Sequence, residues 1–572
     1  MKYRWLVAPA KPLPAGRLER ELGVSPLLAQ CLVNRGLDAP ATAEAFLNPR
    51  LRRLSDPFRL PHLQAAVDRL WEARERGETV AIFGDYDVDG VTSTALLIQV
   101  MKPLGWKVEF YLPHRLDEGY GLTRDAVATC LERFPVKLLL AVDCGSTATD
   151  TVTWLKERGV DVIVLDHHQV ADPPPPADAL VNPQLNPPGP DSLHELCSAG
   201  LAFKLAHGLI KEGRRRGIPG TEQFDLRPLL DLVALGTIAD LVPVMAENRI
   251  LVSVGLEHLN ALKRPGLKAL REVAQINQRI GPFEVGFQLA PRLNAAGRLE
   301  DATEALELLI ESDPERAERL AHSLDARNRE RQNLERGIAE EVIGAVRARF
   351  DPERDFVIVE GQLLWHVGVV GIVASRVLSE FYRPVIILGG DGYEWRGSGR
   401  SVAGFDLAEA LRQCGDLLVR HGGHAMAAGL TIDPRNLPEF RRRLNELARR
   451  TLKPEQLQPP LRLDGETALA DLTLERLEEL RRLQPTGQGN PPVQVVVRGL
   501  TLKRPPQRMG RERQHVKFWV TSGGRACEVV WWNGGEKAWP EGTFDLACAP
   551  RINEFNGRVS VQLRFLDWRP AR

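Results

Sequence analysis

The chain has 572 residues, too many for one hydrophobic core, so three or four domains are expected. Lys+Arg and Asp+Glu both number 75, a formal charge of zero, which excludes capture of a nucleic acid by bulk charge and requires any basic surface to be local. The seven cysteines, at 31, 130, 144, 197, 414, 527 and 548, show no close pairing, which argues against a disulfide framework or zinc ribbon and for a reducing, cytoplasmic setting. The first residues lack the apolar core of a signal peptide, and no run approaches the ~18 apolar residues of a membrane span.

Residues 1–55 read as a small helical lead-in, with helical apolar spacing over Pro26–Asn34 and another turn or two over Thr42–Leu47. The next domain, 56–310, carries the chemistry. Thr79–Phe83 is a short apolar, β-branched strand stopped by Gly84. Helix 91–102, strand 107–112, helix 124–133, strand 137–143, helix 149–158 and strand 161–165 follow, which predicts an α/β fold with a parallel, doubly wound sheet.

Asp85, Asp87 and Asp89 stand at the carboxyl end of the first strand, where open α/β sheets place ligands. Burying them unpaired would cost several kcal/mol each, on the order of the usual desolvation penalty, and a divalent cation is the natural remedy. An EF-hand loop begins with the same Asp-x-Asp-x-Asp-Gly, but it needs a preceding helix and a Glu at its twelfth position. Here a strand precedes, and that position is Leu96. Two more strand ends turn polar, at Val142-Asp143-Cys144-Gly145 and at Asp166-His167-His168. Parallel neighbours would bring all three groups to one rim. Carboxylates and imidazoles without thiolates suit Mn²⁺ or Mg²⁺ better than a structural zinc.

Further on, Arg292, Asn294 and Arg298 lie among small residues in Ala290-Pro-Arg-Leu-Asn-Ala-Ala-Gly-Arg298, which would let a phosphate approach closely. Residues 311–350 predict a connecting helix about 50 Å long, able to bridge two domains. On it, Asn328, Arg329, Arg331 and Gln332 either track a nucleic-acid backbone or form an ordinary solvated face. Residues 351–452 form a second, smaller α/β domain. Its turns, Trp395-Arg-Gly-Ser398-Gly-Arg400 and His421-Gly-Gly-His424, combine glycine with groups suited to anions. A linker over 452–460 opens the last domain, 453–572. Strands expected at 493–503, 515–521, 526–532, 543–550 and 558–565, with Trp519, Trp531, Trp532 and Phe555 among Arg and Lys, predict an OB-fold or SH3-like barrel gripping single strands by stacking and charge.

Asp85-Tyr-Asp-Val-Asp-Gly, Val142-Asp-Cys-Gly and Asp166-His-His resemble the motifs of the DHH phosphoesterase superfamily, and Asp240 in the apolar segment 232–244 stands where its fourth motif falls. The resemblance implies two Mn²⁺ or Mg²⁺ ions held by Asp87, Asp89, Asp143, His167 and Asp240, with Asp143 bridging. Asp85 and His168 are each a ligand or a phosphate contact. Within the superfamily, nearly the whole chain is similar to the RecJ family of bacterial 5′→3′ exonucleases specific for single-stranded DNA. Pro113-His-Arg115-Leu-Asp-Glu118-Gly-Tyr120-Gly, Leu196-Cys-Ser-Ala-Gly200 and the Arg292–Arg298 stretch match it. That resemblance favours OB over SH3 at the C-terminus. It implies that Arg115, Tyr120, Arg292, Asn294, Arg298, His366, Ser398, Arg400 and His424 contact substrate, with Ser398 and Arg400 on the DNA 5′ end and His424 near the metals. Val367, where the family often has Glu, leaves that side chain without an assigned role. A helicase and a single-strand-binding protein are the implied partners of a cytoplasmic monomer with no membrane attachment. A phosphodiesterase for short oligonucleotides or cyclic dinucleotides, a pyrophosphatase and a non-catalytic DNA-binding scaffold are the competing readings.

Overall fold

The computed structural model describes residues 3–114, 118–119, 121–187, 193–299, 301–390, 394–555 and 557–571. The chain divides into two compact units. One comprises residues 39–329 and 482–492, the other residues 1–38, 330–481 and 493–572. No helix among the described residues is long and apolar enough to cross a membrane.

The first unit is built on a five-stranded sheet of β1 (Thr79–Gly84), β2 (Lys107–Tyr111), β3 (Leu138–Val142), β4 (Asp161–Leu165) and β5 (Ala179–Val181). Its order is β2-β1-β3-β4-β5, and every pairing is parallel. Strand alternation sorts the side chains between two cores. Val80, Ile82, Leu138, Leu140 and Val142 pack with α1 (Val88–Met101), while Ala81, Phe83, Leu139 and Ala141 pack with α2 (Arg124–Arg133) and α3 (Thr149–Glu157). The α1 side also receives α4 (Ser198–Arg215) and α5 (Leu230–Ala239), which are buried along nearly their whole lengths. Helix α1 starts three residues earlier than the sequence predicts, because the Asp87 side chain caps it. The strand β5 is only three residues long and lies beyond a run of prolines, so it has no periodicity to announce it.

Two helices complete the site region: α6 (Ala290–Leu299), preceded by a single π-helical turn at Val285–Leu289, and the 34-residue α7 (Pro314–Arg347). On α7, the solvated or backbone-tracking face expected at Asn328 and Arg331 is not what forms. Asn328 is buried, and Arg331 is buried against Glu335 at 2.9 Å. Among the four, Arg329 is exposed and pairs with Asp325.

The second unit holds two larger sheets. In one, β6 (Ile358–Leu363), β7 (Val385–Gly390), β8 (Trp395–Arg400), β9 (Leu418–His424) and β10 (Ala427–Ile432) run in the order β9-β10-β8-β7-β6, with α8 (Val370–Phe381) against β7 and β8. In the other, β11 (Val495–Met509), β12 (His515–Ser522), β13 (Arg525–Trp531), β14 (Phe544–Phe555) and β15 (Arg558–Pro570) follow the order β11-β12-β13-β15-β14, and β11 pairs again with β14. That closure makes a five-stranded barrel, as expected of an OB-fold. The lead-in contains a strand that its composition does not suggest: Arg4–Val7 pairs in parallel with Pro460–Leu463.

Candidate metal centre

The sheet register assembles the centre. Gly84 pairs with Val142, Val142 with Leu165, and Leu165 with Val181. The next residue of each strand continues the ladder: Asp85 N–H donates to Val142 O, Asp143 N–H to Leu165 O, and Asp166 N–H to Val181 O, at 3.0–3.1 Å. Three acidic residues distant in the chain therefore stand in one row at the carboxyl rim. Asp143 holds a left-handed conformation, φ 64°, which turns the chain sharply off the strand.

Helix ends supply the rest. Asp87 caps α1 by accepting from the N–H groups of Asp89 and Gly90. Asp89 faces the start of α4, where Ser198 N–H and Ala199 N–H donate to its two oxygens at 2.7 and 2.9 Å. Ser198 Oγ donates to Asp143 at 2.8 Å. Asp240 follows α5. His167 Nε2 reaches over the group, 3.5 Å from Asp143 Oδ1, 3.5 Å from Asp240 Oδ2 and 3.9 Å from Asp89 Oδ2. Donor atoms of Asp85, Asp87 and Asp143, of Asp89, His167 and Asp240, and of Asp143, His167 and His168 cluster in threes, each set within 4.8 Å.

The electrostatics of this arrangement are unfavourable without a cation. Burial, reinforced by the neighbouring carboxylates, pushes Asp143 well above the usual carboxylate range and raises Asp89. The same causes push Asp240 up to about 8. Burial lowers His167, which favours the neutral imidazole that a cation can bind. His167 Nε2 and Asp240 Oδ2 are buried without any hydrogen-bond partner, an arrangement that native interiors avoid unless an ion supplies the contact. Carboxylate oxygens and imidazole nitrogen are the donor set of Mn²⁺ and Mg²⁺. The residues fit the ions.

Family models match in three places: "DHH family, N-terminal domain" over residues 79–237, "DHHA1 domain" over 354–450 and "RecJ OB domain" over 463–567. The single-stranded-DNA-specific exonuclease RecJ of Bacillus subtilis is 37% identical over 99% of this chain and 71% of its own length. That of Escherichia coli is 36% identical over 94% of this chain and 95% of its own. The crystal structure of Thermus thermophilus RecJ in complex with Mn²⁺ superposes with a TM-score of 0.85 at 33% identity, covering all of this chain and 80% of that one. The chain belongs to the RecJ family. A second family structure, titled an exonuclease RecJ bound to manganese, matches at 39% identity and TM-score 0.60 over 69% of this chain and 96% of that one.

Around this family's metal motifs stand residues that motif reading passed over. Asp166 accepts from His167 N–H, His168 N–H and His168 Nδ1, the last at 2.8 Å, and from Ser146 N–H. Burial alone would raise it, but these bonds and the two imidazoles hold it below the usual carboxylate range. Burial would likewise lower His168, yet the Asp166 carboxylate raises it to about 9. Asn182 ties the loop by donating to Ser146 Oγ and His168 O, each at 2.8 Å. The Asp166-His-His triplet itself was the available signal for Asp166. Nothing local marks Asn182.

The expected substrate contacts divide. Asn294 Oδ1 accepts from Val88 N–H at 3.0 Å, which positions the first turn of α1. Arg292 is occupied by Asp325, 2.9 Å away, and by Gln288 O. Arg298 is half-buried on the same helix. Arg115 and Tyr120 lie outside the described residues. In the second unit, Arg400 Nη1 donates to Ser398 Oγ at 2.9 Å, and Gly371, in the first turn of α8, lies so close that a Cβ there would meet Ser398 Oγ at 3.0 Å and Arg400 Nη2 at 3.1 Å. A guanidinium and a hydroxyl at a helix N-terminus make a favourable anion seat. His366 accepts from Gly368 N–H through Nδ1, and His424 is exposed at the end of β9. In the barrel, Trp531 is core, stacked on Phe565, while Trp532 and Phe555 are exposed and Trp519 is half-buried beneath Arg504.

Proposed function

We propose that this chain is an exonuclease that degrades single-stranded DNA from its 5′ end and releases 5′-mononucleotides in repair and recombination. The observation that carries the reading is the row of buried acidic residues at the β1, β3 and β4 ends, closed by His167 and Asp240, in a member of the RecJ family. Asp87, Asp89, Asp143, His167 and Asp240 would hold two Mn²⁺ or Mg²⁺ ions, with Asp85 completing the set. When bound, such a pair of cations activates a water at neutral pH and stabilises both the attacking and the leaving oxygen of a phosphodiester.

The chain's own groups do the positioning. Ser198 and the first N–H groups of α4 fix Asp143 and Asp89, and Asn294 fixes the start of α1. His168, held through Nδ1 by Asp166, contacts the phosphate. Ser398 and Arg400 hold the 5′-terminal phosphate, and the barrel binds single strands. The protein acts as a cytoplasmic monomer on strands exposed by a helicase and coated by a single-strand-binding protein.

The test is digestion by purified protein with Mn²⁺ of four substrates: single strands labelled at either end, blunt duplex and RNA. Immediate release of the 5′ label as a mononucleotide, little action on duplex, and loss of turnover in Asp89→Ala and His167→Ala are expected. Release of the 3′ label first, or efficient digestion of duplex, would overturn the reading.

A further inference from the structure

The run leading into the centre carries two exposed aromatic rings that none of the roles above uses. Phe283 and Phe287 are 59% and 71% exposed. They stack on one another with centroids 4.9 Å apart and planes 28° from parallel. Solvent-facing rings are costly, and two held nearly parallel make a flat apolar surface that the described residues leave open to solvent.

The local fold builds this surface. Glu284 turns inward and is buried, accepting from Gly281 N–H and Gln278 Nε2, so its neighbour Phe283 points out. The π-helical turn Val285–Leu289 then presents Phe287 beside Phe283, and such turns occur often at functional sites. The turn packs against α5, the helix that ends at Asp240. Seven residues beyond Phe287 on the same run, Asn294 accepts from Val88 N–H at the start of α1, and Gly297 lies against the backbone of Tyr86, inside the acidic motif. Phe287 therefore lies about 10 Å along the helix from the residue that touches the metal loop. Leu241, directly after Asp240, is also exposed, and the exposed Arg279 precedes the pair.

We propose that Phe283 and Phe287 are positioning residues, a platform on which an unpaired nucleobase of the strand stacks a short way downstream of the scissile phosphate. The inference rests on the nuclease reading above. The occupant follows from the chemistry: a flat π surface accepts any base face, the flanking Arg279 suits a phosphate backbone, and the run ends at the site where phosphodiesters would be cut. Bases in a duplex have both faces already stacked. The platform would thus favour single strands without reading sequence.

The test compares wild type with Phe283→Ala, Phe287→Ala and the double variant on a 5′-phosphorylated single-stranded oligonucleotide with Mn²⁺. The double variant should raise KM about tenfold, the loss of roughly one stacked base, with kcat and melting temperature near wild type. Single abasic sites walked along the oligonucleotide should weaken wild-type binding at one position and leave the double variant indifferent there. Phe287→Trp should restore KM, and its fluorescence should be quenched by oligonucleotide. Failure of the wild type to digest single strands overturns the nuclease reading. An active wild type whose double variant keeps its KM and abasic profile overturns this inference alone. Concentration-dependent association of the wild type, abolished in the double variant, would also overturn it by assigning the rings to a second copy of the chain.

Discussion

Gly236→Ala probes how closely the centre is packed. Gly236 lies in α5, four residues before Asp240. A Cβ there would sit 2.6 Å from Ala199 Cβ, 2.6 Å from Thr92 Oγ1 and 2.7 Å from Asp89 Oδ1. Carbon atoms pack at about 3.5–4.0 Å, so α5, α1 and the start of α4 must separate by about 1 Å. Overpacking of this kind costs about 1–3 kcal/mol, offset by about 1 kcal/mol from the better helix propensity of alanine. At roughly 2–4 °C per kcal/mol for a large domain, melting should fall by no more than about 8 °C. The functional loss should be far larger. Asp89 is bonded to Ser198 and Ala199, so it moves with them, and a 1 Å misplacement is worth about 100-fold in rate. Turnover of a 5′-labelled single strand, measured beside the melting curve, separates the two effects. Gly337→Ala serves as control, since a Cβ there meets nothing within 4 Å and should only stabilise α7 slightly. A Gly236→Ala protein with wild-type turnover would refute the packing argument.

Three other outcomes follow from the same geometry. Asp143 and Asp240 bind protons more tightly folded than unfolded, so the metal-free fold is favoured at low pH and that advantage is lost as pH rises from about 4 toward about 8. Cations replace those protons, so the melting-temperature gain from Mn²⁺ should be larger at about pH 8.5 than at about pH 5.5, and an equal gain at both would contradict the coupling. Asp166→Asn should let the His168 pKa, followed by NMR, fall from about 9 toward about 6.5, and should slow turnover about 10–100-fold; an unmoved His168 would show that Asp166 does not hold it. Arg249 is buried and donates to Phe46 O and to the carbonyls of Arg482, Leu483, Gln484 and Pro485. Arg249→Ala should cost about 3 kcal/mol or more and make 482–492 the first site of limited proteolysis, whereas a wild-type cleavage pattern would exclude that anchoring role.

The metal motifs were legible because their physics is local. Each is an apolar strand that ends abruptly in acidic or imidazole groups, and parallel pairing leaves those ends only one rim to share. The barrel was legible for a similar reason, since five apolar runs follow one another between turns, although three of its strands, at 15, 12 and 13 residues, extend beyond those runs. Residues whose role depends on distant partners were not. Asn294 and Arg292 read alike as phosphate contacts, yet one accepts from Val88 N–H at the start of α1 and the other pairs with Asp325, partners 206 and 33 residues away. Arg331 reads as part of a charged face, but its helix buries it against Glu335. Arg4–Val7 gives no sign that its partner is Pro460–Leu463. The inward turn of Glu284 that exposes Phe283 depends on a buried polar cap, which spacing does not reveal.

The central claim is that acidic and imidazole groups from four stretches of the chain share a pair of cations. Anomalous diffraction at the manganese absorption edge, on crystals grown with Mn²⁺, tests it most directly. The account predicts two peaks among Asp87, Asp89, Asp143, His167 and Asp240, with at least one lost in Asp143→Asn. No peak there, or manganese bound only elsewhere, would contradict it.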